Sequence, residues 1–303
     1  MNGKAPALSR TAGTAAVVGA SGFIGSHLYR GLTSAGIRTF GFTRDNPFAP
    51  LGSVHRELLK AETIYYVAGS TTPALTEERP DLAKADLWNL QMLLWSVRKT
   101  AHRPLVVLAS SGGTVYAPDA PQPFREDAPT LPVSAYGAAK LDQERALTAV
   151  EWITPVVLRF SNLYGPRQVP RRGCGVIAHW VKAVREGAPL TLYGHSSRDY
   201  LHVEDAVEAL LAVHRHAARL RAARTPTTLN IGSGVPVGLN ELHECFERAA
   251  GHSIPVQRRP ARSFDRTEIC LDVTAAGKTL DWTPQIPLET GLARMLGTAV
   301  RQR

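Results

Sequence analysis

Tyr136 and Lys140, in the run Tyr136-Gly137-Ala138-Ala139-Lys140, are the pair whose types and spacing best suit proton transfer. On a helix, residues i and i+4 share one face. An ammonium near a phenol favours the phenolate and draws the tyrosine pKa down toward working pH. Such a tyrosine can pass a proton to or from a substrate hydroxyl while hydride moves to or from a nicotinamide. The lysine can also hold the nicotinamide ribose. YxxxK is common by chance, so its meaning depends on what precedes it.

What precedes it is a glycine turn, Gly19-Ala20-Ser21-Gly22-Phe23-Ile24-Gly25. Glycines at this spacing permit a tight turn and close approach of backbone to a pyrophosphate. The helix that follows would aim its N-terminal N–H groups and dipole at the phosphates. The apolar run Thr14 to Val18 leads into the turn and a helical pattern leaves it, which is the context a dinucleotide site requires. Ser21, Phe23 and Ile24 are therefore candidates for cofactor contact beside Gly19, Gly22 and Gly25. After a second strand, Arg38 to Phe42, stand Thr43 and Arg44. An acidic residue there would accept from a ribose 2′-OH; Thr43 would not repel a 2′-phosphate and Arg44 can pair with one. That favours NADP(H). Asp45 keeps NAD(H) as the alternative.

These residues need a scaffold of alternating strands and helices. Strand patterns continue at Thr63 to Ala68, Pro104 to Ala109 and Thr154 to Phe160, with helical patterns at Leu82 to Lys99 and Tyr136 to Val150. Short continuous apolar strands suit a parallel sheet buried on both faces. The expected fold is α/β: a Rossmann-like doubly wound parallel sheet with a smaller mixed α/β C-terminal lobe for substrate. The expected division is residues 11–165 with about 197–232 for the dinucleotide, and 166–196 with 233–303 for the substrate. The Pro-rich stretch Ala117 to Pro132 reads as a long loop over the active-site face.

Composition narrows the function classes. The chain has 303 residues, 44% hydrophobic and 20% charged, so a large core is available and wholesale disorder does not fit. Its net charge is +9, but the arginines are scattered, which argues against nucleic acid and suits a phosphorylated small substrate. Three separated cysteines, Cys174, Cys245 and Cys270, provide neither a disulfide framework nor a metal site. The sequence shows no signal peptide and no membrane span, and a cytoplasmic location is expected.

Further segments are SSGGTVY (Ser110 to Tyr116), LRFSNLYGPRQ (Leu158 to Gln168), RDYLHVEDA (Arg198 to Ala206), LNIGSG (Leu229 to Gly234) and FDRTEICLD followed by LDWTPQIPLETGL. With the glycine turn and YGAAK, in this order, the chain resembles the extended short-chain dehydrogenases/reductases of the nucleotide-sugar epimerase, dehydratase and reductase group. The resemblance implies Tyr136 as acid/base and Lys140 as its partner, with Ala68, Phe160 and Ser161 beside the cofactor. It implies that Asn162 bonds the sugar nucleotide, Tyr193 meets the nucleobase, and Arg198 and Arg262 clamp the diphosphate. Arg198 also reads as an ion pair with Asp199 or Glu204, and Asn162 as a loop cap. A homodimer is implied, through the helices at Leu82 to Lys99 and Tyr136 to Val150, unless those faces simply cover the sheet.

The chain departs from the family in three places. Gly112 stands where many relatives carry a hydroxyl, leaving Ser111 or Thr114 to supply it. Thr43 replaces the acid after the second strand. The connection from Arg44 to Thr63 is too short for the family's usual third strand. No Asp-Glu pair occurs where dehydratases carry carboxylates, so dehydration is discounted. The leading expectation is an NADPH-dependent 4-ketoreductase of a nucleotide-diphosphate 4-keto-6-deoxyhexose. A 4-epimerase with retained NAD is close behind, and a non-catalytic dinucleotide sensor third.

Overall fold

The computed structural model describes residues 13–171, 173–260 and 268–297. Arg262 lies outside the described residues. In chain order, β1 (Thr14–Val18), α1 (Phe23–Ser34) and β2 (Arg38–Phe42) come first. A 3-10 turn (Pro50–Gly52) and α2 (Arg56–Lys60) lead to β3 (Thr63–Tyr66), α3 (Pro73–Glu78), α4 (Pro80–Val97), β4 (Leu105–Ser111), α5 (Ala135–Thr148) and β5 (Thr154–Phe160). Then follow β6 (Asn162–Tyr164), α6 (Val176–Arg185), β7 (Leu190–Tyr193), β8 (Ser197–His202), α7 (Val203–Arg215), α8 (Ala217–Ala222) and β9 (Thr227–Ile231). The chain closes with β10 (Pro236–Gly238), α9 (Leu239–Ala250), β11 (Val256–Arg259), α10 (Thr274–Leu280) and α11 (Leu288–Leu296).

The main sheet has six parallel strands in the order β2-β1-β3-β4-β5-β9. The apolar strand runs alternate between two cores. Ala15, Val17, Val107 and Leu158 face α1 and α7, while Ala16, Val106, Leu108 and Val157 face α4. Period-two alternation inside an unbroken apolar run is what two-sided burial demands. No strand forms between Phe42 and Thr63, so β2 is the sheet edge, as the short connection predicts. A three-stranded sheet β10-β8-β6 and the pair β11-β7 make up the rest. They pack with α6, α9 and α11 around Trp180 and Phe246, whose rings meet edge to face at 5.3 Å.

The Pro-rich loop lies elsewhere than expected. Phe124 forms a parallel bridge with Leu271, and Gln122 Nε2 donates to Glu268 O at 2.9 Å. Tyr116 and Phe124 stack in a buried cluster with Ile269 and Leu271. Residues 117–132 thus lie against the 268–272 segment and do not line the cleft described below. Burial of Phe124 pins a loop that otherwise stays largely exposed.

Buried imidazoles give the fold a pH dependence. Burial pushes the pKa of His27, His202 and His214 below the ordinary histidine value. The folded state prefers them neutral, so their contribution to stability is full above the unfolded value and is lost as pH falls below it. The thermal midpoint is expected to decline below about pH 6.5. A midpoint that is level down to pH about 5, on melts taken across that range, would refute this.

Candidate active site

The glycine turn is built as its sequence demands. Gly19 has φ of +94°, and a Cβ there would lie 2.7 Å from Ala68 N. A Cβ on Gly25 would collide with the Gly19 carbonyl. The N–H groups of Gly19 and Ala20 donate to Phe42 O at 2.9 and 3.1 Å, tying the turn to the end of β2. Gly22 N–H closes the turn onto Gly19 O, and within α1 Ser26 N–H is the first to bond back, at Gly22 O. The N–H groups of Phe23, Ile24 and Gly25 therefore stand at a helix N-terminus, where an anion is favoured. Immediately beside them, Thr43 Oγ1 accepts from Asn46 N at 3.1 Å, and Arg44 and Asp45 are exposed at the tip of that small turn.

A cleft of about 880 Å³ opens at the C-terminal ends of the strands. Ile24 and Ala68 line one end; Ser111, Thr114, Tyr136 and Lys140 the middle; Phe160, Ser161 and Asn162 follow; Tyr193 and Arg198 line the far end. Gly19, Ser21, Gly22, Phe23, Gly25, Thr43 and Arg44 are outside this lining, on the turn and loop that adjoin it through Ala68. The orphan N–H groups, the absence of side chains at Gly19 and Gly25, and the length of the cleft suit a dinucleotide and a second elongated ligand meeting at Tyr136.

Tyr136 and Lys140 share the inner face of α5. Ser134 caps the helix by accepting from Gly137 N at 3.1 Å, and Gly137 lets the first turn press onto the Thr114 carbonyl. Lys140 Nζ donates to Ala109 O at 3.2 Å and Gln143 Oε1 at 3.3 Å, and lies 5.9 Å from the Tyr136 ring centre. Burial raises the Tyr136 pKa, with Cys174 and Asp86 adding to the rise. This corrects the expectation of a phenol drawn down by the lysine: desolvation dominates, and the ammonium is engaged by the strand carbonyl. Burial likewise lowers the Lys140 pKa, opposed by Asp86 and Glu144.

The hydroxyl question resolves into packing. A Cβ at Gly112 would sit 2.6 Å from Leu271 Cδ1, so position 112 is filled from below by a leucine. Thr114 Oγ1 is buried and has no hydrogen-bond partner among the described residues. A buried orphan hydroxyl on a cleft wall is costly unless a ligand completes it. Ser111, at the end of β4, is half-buried in the same wall.

At the far end, Arg198 Nη1 donates to Ser197 O at 2.7 Å. The carboxylates named as its possible partners are engaged elsewhere: Asp199 accepts from Ser233 N and Gly234 N, and Glu204 pairs with Arg294 at 2.8 Å. Asn162 is exposed at the start of β6, and Tyr193 is 40% exposed at the end of β7.

Sequence reasoning missed several groups here. Asp86 occupies the buried stripe of α4 with Leu90, Leu93, Leu94 and Val97. Its carboxylate accepts from Ser70 N at 3.0 Å, Ser70 Oγ at 2.7 Å and Thr71 Oγ1 at 3.2 Å. A lone acid in an apolar helical stripe was the available signal. Behind α5, Glu144 receives Arg159 Nη2 at 2.7 Å and the Ser110 hydroxyl. Gln168 and Cys174 line the cleft as well. Among the described residues no cluster able to hold a metal occurs, and no helix is long and apolar enough to cross a membrane.

Residues 15–232 match the model of the NAD-dependent epimerase/dehydratase family. The chain belongs to that family. Its members here are enzymes of the short-chain dehydrogenase/reductase type. A UDP-glucose 4-epimerase from Mycolicibacterium smegmatis is 29% identical over 92% of this chain and 96% of its own length. A dTDP-4-dehydro-6-deoxyglucose reductase from Escherichia coli is 29% identical over 63% of this chain and 60% of its own. The crystal structure of the Thermus thermophilus UDP-glucose 4-epimerase in complex with NAD superposes with a TM-score of 0.76 at 26% identity, covering 94% of this chain and 98% of that one.

Proposed function

We propose that this chain is a 4-epimerase of a nucleotide-diphosphate hexose that works with a retained NAD. The observation that carries the reading is end-to-end similarity to a UDP-glucose 4-epimerase in a chain whose cleft brings Tyr136 and Lys140 together. The bound nicotinamide would supply the hydride acceptor and donor. Tyr136 would take the proton from the C4 hydroxyl and return it after the keto sugar has turned over. Lys140 would hold the cofactor ribose and the charge of the pair, and the Thr114 hydroxyl would bond the same sugar oxygen. Asn162 would meet the sugar, Arg198 and Arg262 the diphosphate, and Tyr193 the base. The cofactor would lie along Gly19 to Gly25, Thr43, Ala68, Phe160 and Ser161. In this reading residues 11–165 with 197–232 serve the dinucleotide, and 166–196 with 233–303 the sugar nucleotide.

The 4-ketoreductase is the second reading. What favours it is Thr43 and exposed Arg44 at the ribose end of the turn, which suit a 2′-phosphate, together with the similarity to the dTDP-sugar reductase. Cofactor content separates the two. The expected result is NAD(H) that stays with the protein through purification, with Arg44→Ala leaving it in place. Protein that purifies empty, prefers NADPH, and loses about tenfold in NADPH affinity on Arg44→Ala would put the reductase first. Trp88 and Trp95 project from α4, 62% and 56% exposed, and suit a second copy across α4 and α5. Sedimentation of the same preparation should report two chains; a single chain would remove the homodimer.

A further inference from the structure

We propose that the end of the main sheet opposite the cleft is a docking surface for an anionic lipid bilayer, on which the protein lies peripherally with its cleft turned to the water. The face is remote from the cleft and independent of the chemistry done there.

A parallel sheet puts every strand entrance at one end, and the cleft lies at the other. Cations that are scattered in sequence gather at the entrances. Lys60 precedes β3, Lys99 and Arg103 precede β4, and Arg219, Arg221 and Arg224 precede β9. Hydrogen bonds join these connections into one face. Arg221 Nη2 donates to Glu62 O at 2.8 Å, His102 Nε2 lies 3.0 Å from Ala61 O, and Arg103 Nε donates to Ile153 O. Arg219 Nη2 donates to Lys278 O at 2.6 Å, which brings in α10. None of these cations lines the cleft.

The charge on this face is not cancelled within the protein. The three arginine bonds just named go to neutral backbone carbonyls, whereas elsewhere arginines meet carboxylates, as Arg79 meets Asp81, Arg248 meets Glu289 and Arg294 meets Glu204. The acids at the same end are Glu62, Glu151 and Asp281, and Asp281 faces His216 at 3.5 Å. Part of the net charge of +9 therefore stands open here. Each such cation gains from an anionic surface that comes within a Debye length. Trp152 is exposed on the same face, next to the residue that accepts from Arg103, and its indole N–H is held by Leu94 O at 2.9 Å. Tryptophan beside cations is a combination favoured where protein meets a bilayer surface. Nucleic acid fits less well, because a single strand needs stacking rings along a groove, and the large groove of this protein is at the opposite end.

The experiment is sedimentation of the full chain with vesicles of phosphatidylcholine mixed with phosphatidylglycerol, against phosphatidylcholine alone, in about 150 mM salt. The protein should pellet with the anionic vesicles and stay in solution with the neutral ones. Lys99→Gln with Arg224→Gln should weaken that partition about 25-fold, at about fivefold for each charge removed from the surface. Both side chains are exposed, so the double variant should fold. Lys182→Gln with Arg258→Gln removes the same charge from α6 and β11 and should leave the partition within about twofold. Absence of binding to the anionic vesicles overturns the proposal. An equal fall in the two double variants also overturns it, since net charge and not this face would then be responsible. A chain that ignores vesicles but binds polyuridylate or polyglutamate through Lys99 and Arg224 overturns it too, and gives the face to that class of partner.

Discussion

Tyr136→Phe should lower turnover by about 10²- to 10⁴-fold, the range removed with a positioned acid/base, while dinucleotide binding persists. The phenol touches the middle of the cleft, whereas the N–H groups at Phe23 to Gly25 that suit the pyrophosphate lie at the other end of it. The substitution deletes one oxygen and leaves the ring to pack. Because burial holds this phenol above its ordinary value, the step that needs it as a base should speed up as pH rises. Steady-state kinetics with a UDP- or dTDP-sugar, beside a binding titration with NAD, measures both. Unaltered turnover would sink the acid/base assignment and bring the non-catalytic dinucleotide sensor forward.

The second large effect is on stability. Glu144 and Arg159 face each other with side chains 7% exposed, joined by contacts from both Nε and Nη2. Burial alone would pull the Arg159 pKa down, but the hydrogen bonds and charge of Glu144 push it above its usual value. The guanidinium also stacks over Tyr116 at 4.9 Å and donates to Glu126 O. Glu144→Ala leaves that cation in the core without its partner and should cost about 3–5 kcal/mol. Denaturant unfolding reads this as a lower midpoint at unchanged slope. A loss under about 1 kcal/mol would mean that water or Glu126 takes over the arginine. The double variant Glu144→Met with Arg159→Met should recover part of the loss, because no charge is then stranded.

Much of this molecule could be read from its sequence because the signals were local. The β1–turn–α1 unit, the YGAAK helix and the absent third strand each follow from spacing and pattern within a few tens of residues. The rest depended on partners distant in sequence. Asp86 reads as an ordinary helical acid until Ser70 and Thr71 are brought beneath it. Glu144 falls on the Tyr136–Lys140 face by helical period, but nothing nearby announces Arg159 on the next strand. Nothing in the sequence near Thr114 announces that its hydroxyl is buried and unpaired among the described residues, or that a leucine packs under Gly112. The proline-rich loop was misplaced for the same reason: Tyr116 and Phe124 find their burial against residues 269–271.

That last arrangement bears on how the protein comes to be folded. Gln122 is joined to Cys270 across 148 residues of chain, and Leu271 fills the space under Gly112, just after β4. Contacts of such separation form slowly, because the loop entropy is lost before any contact repays it. During synthesis β1 to β5 emerge first, but Leu271, which packs under Gly112, emerges long after them. Refolding should therefore restore NAD binding before turnover. A fragment stopped at residue 232, where the family match ends, should leave Gly112 and Asn230 uncovered and remain inactive.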